Sequence, residues 1–114
     1  MVVRLILVGA ALSFIVTAQA ADSPEKIVSV YGLGGKGTCG AFIRSLNTPE
    51  YHHYFDFAAG FITAQNMALS SGGNVLGSAD LNDAMLVVEK YCRENPMTGF
   101  LNGLNQLVRN SKAQ

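Results

Sequence analysis

The amino-acid sequence predicts an all-α fold, a small single-domain bundle of about four helices with one disulfide, following a cleaved signal peptide. Three observations predict it. Apolar residues recur at helical spacing in four successive stretches. Capping or helix-breaking residues bound each stretch. The only two cysteines, Cys39 and Cys92, each fall on one of the apolar stripes.

Residues 1–20 carry the marks of an export signal: Arg4 as a short basic start, an apolar run from Leu5 to Val16, and Ala18-Gln19-Ala20 as an A-x-A cleavage site. The run is too short for a comfortable membrane span, which needs about 20 residues. The alternative is a retained N-terminal anchor. With cleavage, the mature chain is expected to start at Ala21 or Asp22, to be exported and to have no stable membrane anchor. It is long enough for one small domain near the lower limit of what a single core stabilises.

Residues 21–37 read as a flexible, glycine-rich lead. Asp22 to Lys26 is polar, Ile27 to Tyr31 is briefly β-prone, and Gly32, Gly34, Gly35, Gly37 and Gly40 follow in close succession. Such density opposes regular structure because each glycine loses extra backbone entropy on ordering. The helical domain spans 38–111. Thr38 caps a first helix with Cys39, Phe42, Ile43 and Leu46 on one face, ended by Asn47 and Thr48. Thr48-Pro49-Glu50 then starts a second helix, with a hydroxyl cap, a proline in the first turn and an acid beside it. This helix runs to about Ser70 and is aromatic almost all round its first half, which suits either a central helix or a partner surface.

Residues 71–78 form a loop by composition. Ser78 or Asp80 caps a third helix, whose stripe is Leu81, Met85, Val88 and Cys92 with Ala84 beside it. Glu94-Asn95-Pro96 stops that helix, since the residue before proline avoids the helical region. The same Asn95-Pro96 pair starts a fourth helix with Met97, Leu101, Leu104 and Val108 inward, widened by Phe100 and Leu107. An even number of cysteines in an exported chain, without metal-type spacing, reads first as one disulfide, Cys39–Cys92. Closing so long a loop stabilises by about 4 kcal/mol on the chain-entropy model. The alternative is two free thiols packed as small apolar groups.

Gly32, Gly34 and Gly37 spell G-x-G-x-x-G, the dinucleotide fingerprint. The fingerprint needs a βαβ unit, and no second parallel strand follows. Lys36 is followed by Gly37 rather than Ser or Thr, so the phosphate-loop pattern fails as well. Removing Arg4 from the eight basic residues leaves them one short of the eight acidic ones, a formal charge of −1 in the mature chain. Bulk attraction to nucleic acid is therefore absent.

His52 and His53 are adjacent on a helix, about 100° apart, and so do not converge on one metal. His52 and Asp56 are one turn apart and can pair. With His53 they are the candidate pH-sensing groups, since histidine changes charge near physiological pH. Asp83, Glu89 and Glu94 read as caps and solvated faces, and the serines occupy caps and loops. No convergent nucleophile, acid and base appear. The chain is expected to be no enzyme and to need no metal or cofactor. Asn66, midway along an apolar helix, reads as an amide that bonds across to another helix, the alternative being a ligand contact.

The segments TCGAFI, FDFAAGFITAQN and VEKYCRENPMTGFLNGLNQLV, with Tyr91-Cys92-Arg93-Glu94-Asn95-Pro96 as the most specific piece, resemble the HdeA/HdeB-like superfamily of periplasmic acid-stress chaperones. They are more distantly similar to exported immunity proteins of the Tai type, which neutralise cell-wall-degrading effectors. The resemblance spans about two thirds of the mature chain. It implies a periplasmic helical domain closed by Cys39–Cys92, commonly dimeric, that acid converts to a looser form exposing apolar surface to client proteins. On this reading Phe57, Phe61, Ile62, Val87 and Val88 form the client or partner surface. Protonation of the carboxylates would drive the chain strongly positive and loosen a small core by self-repulsion. The sequence departs from the chaperone pattern in its scarcity of lysine and in its glycine-rich lead. An immunity protein would instead bind one partner at neutral pH, inserting a loop such as 72–77. A third class is an assembly subunit of an envelope machine.

Overall fold

The computed structural model describes residues 27–112 together with the isolated positions 9, 10 and 13. The expected signal peptide, apart from those three positions, and the start of the lead lie outside the described residues. The architecture is all-α, with five helices: α1 Leu33–Lys36, α2 Cys39–Ser45, α3 Tyr51–Met67, α4 Leu81–Glu94 and α5 Phe100–Lys112. Among the described residues the only β pairing is an isolated antiparallel bridge between Thr38 and Gly99.

The α2 helix starts where Thr38 caps it, the hydroxyl accepting from Ala41 N at 3.0 Å. Its other free N–H groups are satisfied from the α4–α5 connection: Cys39 N donates to Thr98 O at 2.7 Å and Gly40 N to Pro96 O at 2.9 Å. The helix is short, and Leu46 and a left-handed Asn47 (φ 62°) end it. At α4, Asp80 is the cap: its carboxylate accepts from Asp83 N at 2.9 Å, and the Asp83 carboxylate accepts from Asp80 N at 3.4 Å. This reciprocal box satisfies two donors at the helix start.

Two helix starts differ from expectation. Glu50, not Thr48, occupies the N-cap of α3 and makes no side-chain capping bond. The Thr48 hydroxyl turns back instead, donating to Ser45 O at 2.7 Å and closing the end of α2. The α5 helix begins at Phe100, three residues beyond Met97, which is 92% exposed. Residues 96–99 are held as a turn because their carbonyls serve the start of α2, and Phe100 N donates to Gly37 O at 2.9 Å.

The disulfide joins Cys39 at the start of α2 to Cys92 near the end of α4, 53 residues apart, with Cα atoms 4.7 Å from one another. Both cysteines are fully buried. Around them lie Phe42, Val88, Phe100 and Leu104, also fully buried. Three rings from three helices meet here: Phe42 lies 4.8 Å from Phe100 and 5.4 Å from Tyr54, and Tyr54 meets Phe100 edge-on at 5.0 Å. Tilted and edge-to-face geometries place positive ring edges against negative faces and add to the burial of apolar area. Gly103 lets α5 lie close to α4, since a Cβ there would come within 3.1 Å of Val88 and 3.3 Å of Tyr91.

The aromatic α3 proves to be neither wholly core nor wholly free. Tyr54, Ala58 and Ile62, spaced four apart, form its buried seam, whereas Tyr51, Phe55, Phe57 and Phe61 are half-buried on either side. Gly60 lies on its exposed side with open space where a Cβ would stand. A Gly60→Ala substitution should therefore stabilise the protein by about 0.5–1 kcal/mol through helix propensity alone. Thermal denaturation should show a rise in Tm of about 2–8 °C for a domain of this size, and an unchanged or lower Tm would contradict the assignment of an unobstructed helical position.

Candidate functional site

The glycine-rich segment is more ordered than its composition suggests. Residues 33–36 form a helical turn, α1, with Gly34 and Gly35 buried against α3. A Cβ on Gly34 would stand 2.3 Å from the carbonyl oxygen of His53, and one on Gly35 would stand 2.4 Å from the Phe57 ring. Gly37 lies as tightly against Tyr54. Gly34 and Gly37 of the apparent dinucleotide fingerprint, with Gly35 between them, are thus packing residues: lack of a Cβ lets the backbone approach its neighbours. Gly32 (φ 83°) bends the chain from the extended stretch before it into α1.

Beside α1, the stretch from Val28 to Tyr31 crosses α3 and α5 and walls an apolar cleft of about 420 Å³ with Phe57, Phe61 and Leu101. Asn105 and Ser29 bring polar side chains to it. Next to the cleft, Ile27, Val28, Tyr31 and Leu33 remain largely exposed. A concave apolar surface flanked by exposed apolar residues is the ordinary form of a binding site for another apolar group.

The five candidate surface residues separate in the folded domain. Phe57 and Phe61 share the cleft. Ile62 and Val88 belong to the core, 6% and 0% exposed. Val87 is exposed on α4, in a groove with Tyr91 and Leu107 rather than with the phenylalanines. Helical spacing placed Val88 inward, and adjacency alone joined it to Val87. Sequence reasoning missed Val28, Val30, Tyr31 and Leu101. The β-prone character of 27–31 was visible, but its docking on α3 depends on contacts distant in sequence.

The candidate pH-sensing residues are only partly together. The His52 and His53 rings lie 4.1 Å apart and 38° from parallel, closer than their divergent helical directions suggest. His52 Nδ1 lies against the carbonyl oxygen of Pro49. Asp56 is exposed and, among the described residues, pairs with neither ring. Asn66 has a protein partner, its Oδ1 accepting from Val75 N at 2.7 Å and tying the loop after α3 to the helix. Asn74 orders the same loop, accepting from Leu76 N at 3.0 Å and donating to Gly77 O at 3.1 Å.

Charge is sparse. One ion pair, Arg93–Glu89 at 2.7 Å on the surface of α4, is present among the described residues. Exposed pairs of this kind contribute little. The nearby Thr48 hydroxyl, followed by Glu50's own backbone N–H, holds the Glu50 carboxyl below its usual range. Burial, reinforced by Glu89, pushes the Tyr51 phenol up. Among the described residues no group of three or more His, Cys, Asp or Glu side chains is placed to hold a metal, and no helix is long and apolar enough to cross a membrane. No protein-family model, curated protein or solved structure matches this chain. The fold and the site together define a small all-α domain closed by one disulfide, with an apolar cleft on its aromatic helix.

Removal of the disulfide by a Cys39→Ala/Cys92→Ala double substitution should cost about 2–5 kcal/mol. Urea denaturation should show the loss as a lower midpoint, and a midpoint within error of the wild type would remove the disulfide from the main supports of the fold. The two shifted groups act at opposite ends of the pH scale. The raised Tyr51 contributes stability below the ordinary tyrosine value that disappears as pH rises through its higher folded value. The lowered Glu50 contributes above the ordinary glutamate value and is lost as pH falls through its lower folded value. Tyr51→Phe should flatten the alkaline limb of a stability–pH curve and Glu50→Gln the acid limb; equal curves for all three proteins would contradict both assignments.

Proposed function

We propose that this chain is a non-enzymatic binding protein of the periplasm that presents apolar helix surface to unfolding client proteins in acid. The observation that carries this reading is the half-buried pair Phe57 and Phe61, standing at an apolar cleft on a helix that no covalent link holds. The resemblance of Tyr91-Cys92-Arg93-Glu94-Asn95-Pro96 and its surroundings to the acid-stress chaperones agrees with it. Acid acts on this domain through few points. Glu50, whose carboxyl is held below its usual range, loses that stabilisation when it takes up a proton, and the rising positive charge of the chain repels itself. The buried disulfide keeps α2 and α4 together while packing loosens around them, so Ile62 and Val88 join the client surface only in the loosened form.

A second reading, an immunity protein with one tight partner at neutral pH, is favoured by the loop 72–77. Hydrogen bonds to Asn66 and through Asn74 order it, with Val75 and Leu76 half-buried against the core while Gly72, Gly73, Asn74 and Gly77 stay exposed. A pre-ordered loop loses little entropy on binding, which favours a specific partner.

The deciding experiment is light scattering of an aggregating client protein at strongly acidic and at neutral pH, with and without the oxidised mature domain. Suppression in acid alone is the expected result. Absence of suppression at either pH, with the domain soluble and its disulfide formed, would overturn the chaperone reading in favour of a neutral-pH partner. Shortening the loop 72–77 should leave acid suppression intact if clients are the ligands, and should abolish capture of a single partner if that loop is the binding element.

A further inference from the structure

The chain from Ile27 to Lys36 is held differently from the rest of the domain. Its C-terminal end is pinned, because Phe100 N donates to Gly37 O at 2.9 Å and Cys39 N to Thr98 O at 2.7 Å. Before Gly37, the one loop or turn backbone hydrogen bond among the described residues is local, Lys36 N to Gly32 O at 3.1 Å. What joins this segment to α3 is close packing of Gly34 and Gly35 on His53 and Phe57, with the Val30 side chain near Gly35. Leu33, the large apolar side chain of α1, faces outward and is 70% exposed. The turn is therefore docked through glycine backbone, which buries little apolar area.

We propose that residues 27–36 are a strap hinged at Gly37, which covers the Phe57–Phe61 side of α3 in the resting domain and is displaced by an apolar segment of a bound polypeptide. This rests on the reading of Phe57 and Phe61 as a client surface. The energetic ground is an exchange of unequal covers. A polypeptide segment carrying leucine or phenylalanine buries more apolar area on those rings than the strap does, because the strap packs there through Gly34, Gly35 and the half-buried Val30 and leaves an open apolar cleft beside them. Lifting the strap breaks no hydrogen bond to another helix and leaves the junction of α2, α4 and α5 intact, because that junction begins on the far side of the hinge. Gly34 is the position most intolerant of a side chain, since a Cβ there meets backbone that cannot rotate away.

Hydrogen–deuterium exchange of the oxidised full-length protein at neutral pH tests this, on the wild type, on Gly34→Ala and on Val30→Ser. In both variants the hydrogen-bonded amide of Lys36 should exchange several-fold faster and a hydrophobic fluorescent dye should bind several-fold more, while α4 and α5 keep wild-type protection. Adding a synthetic peptide rich in leucine and phenylalanine to the wild type at strongly acidic pH should speed exchange at Lys36 and slow it in 53–61. A strap that becomes more protected when the peptide binds would overturn the proposal. So would loss of protection throughout α4 and α5 in both variants, which would make the segment part of the folding core. If both variants free the strap and take up dye, yet no protein of the set binds the peptide or suppresses client aggregation, the strap stands and the client reading falls.

Discussion

The Cys39–Cys92 bond is the constraint on which the other contacts of this domain depend. It brings the start of a seven-residue helix against the end of a long one, a meeting that α2 is too short to secure by its own apolar face. Once α2 is there, its first N–H groups find carbonyl partners at Pro96 and Thr98, and those bonds in turn set where α5 begins. Phe42 and Phe100 are thereby brought to 4.8 Å, and Tyr54 of α3 closes the aromatic group. A chain of this length buries a modest core, so a covalent closure that reduces the freedom of the unfolded state weighs heavily in its stability.

The domain consequently has two kinds of cohesion. The α2, α4 and α5 helices share a cross-link, backbone hydrogen bonds between elements and the closest aromatic packing. The α3 helix is held by the seam of Tyr54, Ala58 and Ile62 and by the glycine turn that rests on it. Local stability in such a structure is uneven, and elements without cross-links or buried polar ties open at lower free energy than the core. That unevenness places the aromatic residues where a modest loosening exposes them.

Much of this organisation was legible in the residues. Thr38 and Asp80 announce helix starts by chemistry that acts within three residues, and the stripe of Met85, Val88 and Cys92 gives the inward face of α4 through spacing alone. Other features were not legible, for a common reason. Thr48 has the chemistry of a cap, but whether its hydroxyl turns forward to α3 or back to Ser45 is decided by the turn between the helices. Met97 continues an apolar stripe, yet the carbonyls beside it are committed to α2, so the helix starts later. Gly34 and Gly35 look like an invitation to disorder, and only the presence of His53 and Phe57 opposite them makes the absence of a side chain a requirement.

By itself the sequence determined the helical class, the positions of the long helices, the cysteine pairing and the scarcity of charge, because periodicity, capping and cysteine count act locally or through composition. The tertiary structure alone decided that α1 exists, which flank of α3 is buried, and that Phe57 and Phe61 share a cleft with Leu101 while Val87 lies elsewhere. Those outcomes depend on pairs of residues far apart in the chain, and close packing selects among surfaces that local rules leave equivalent.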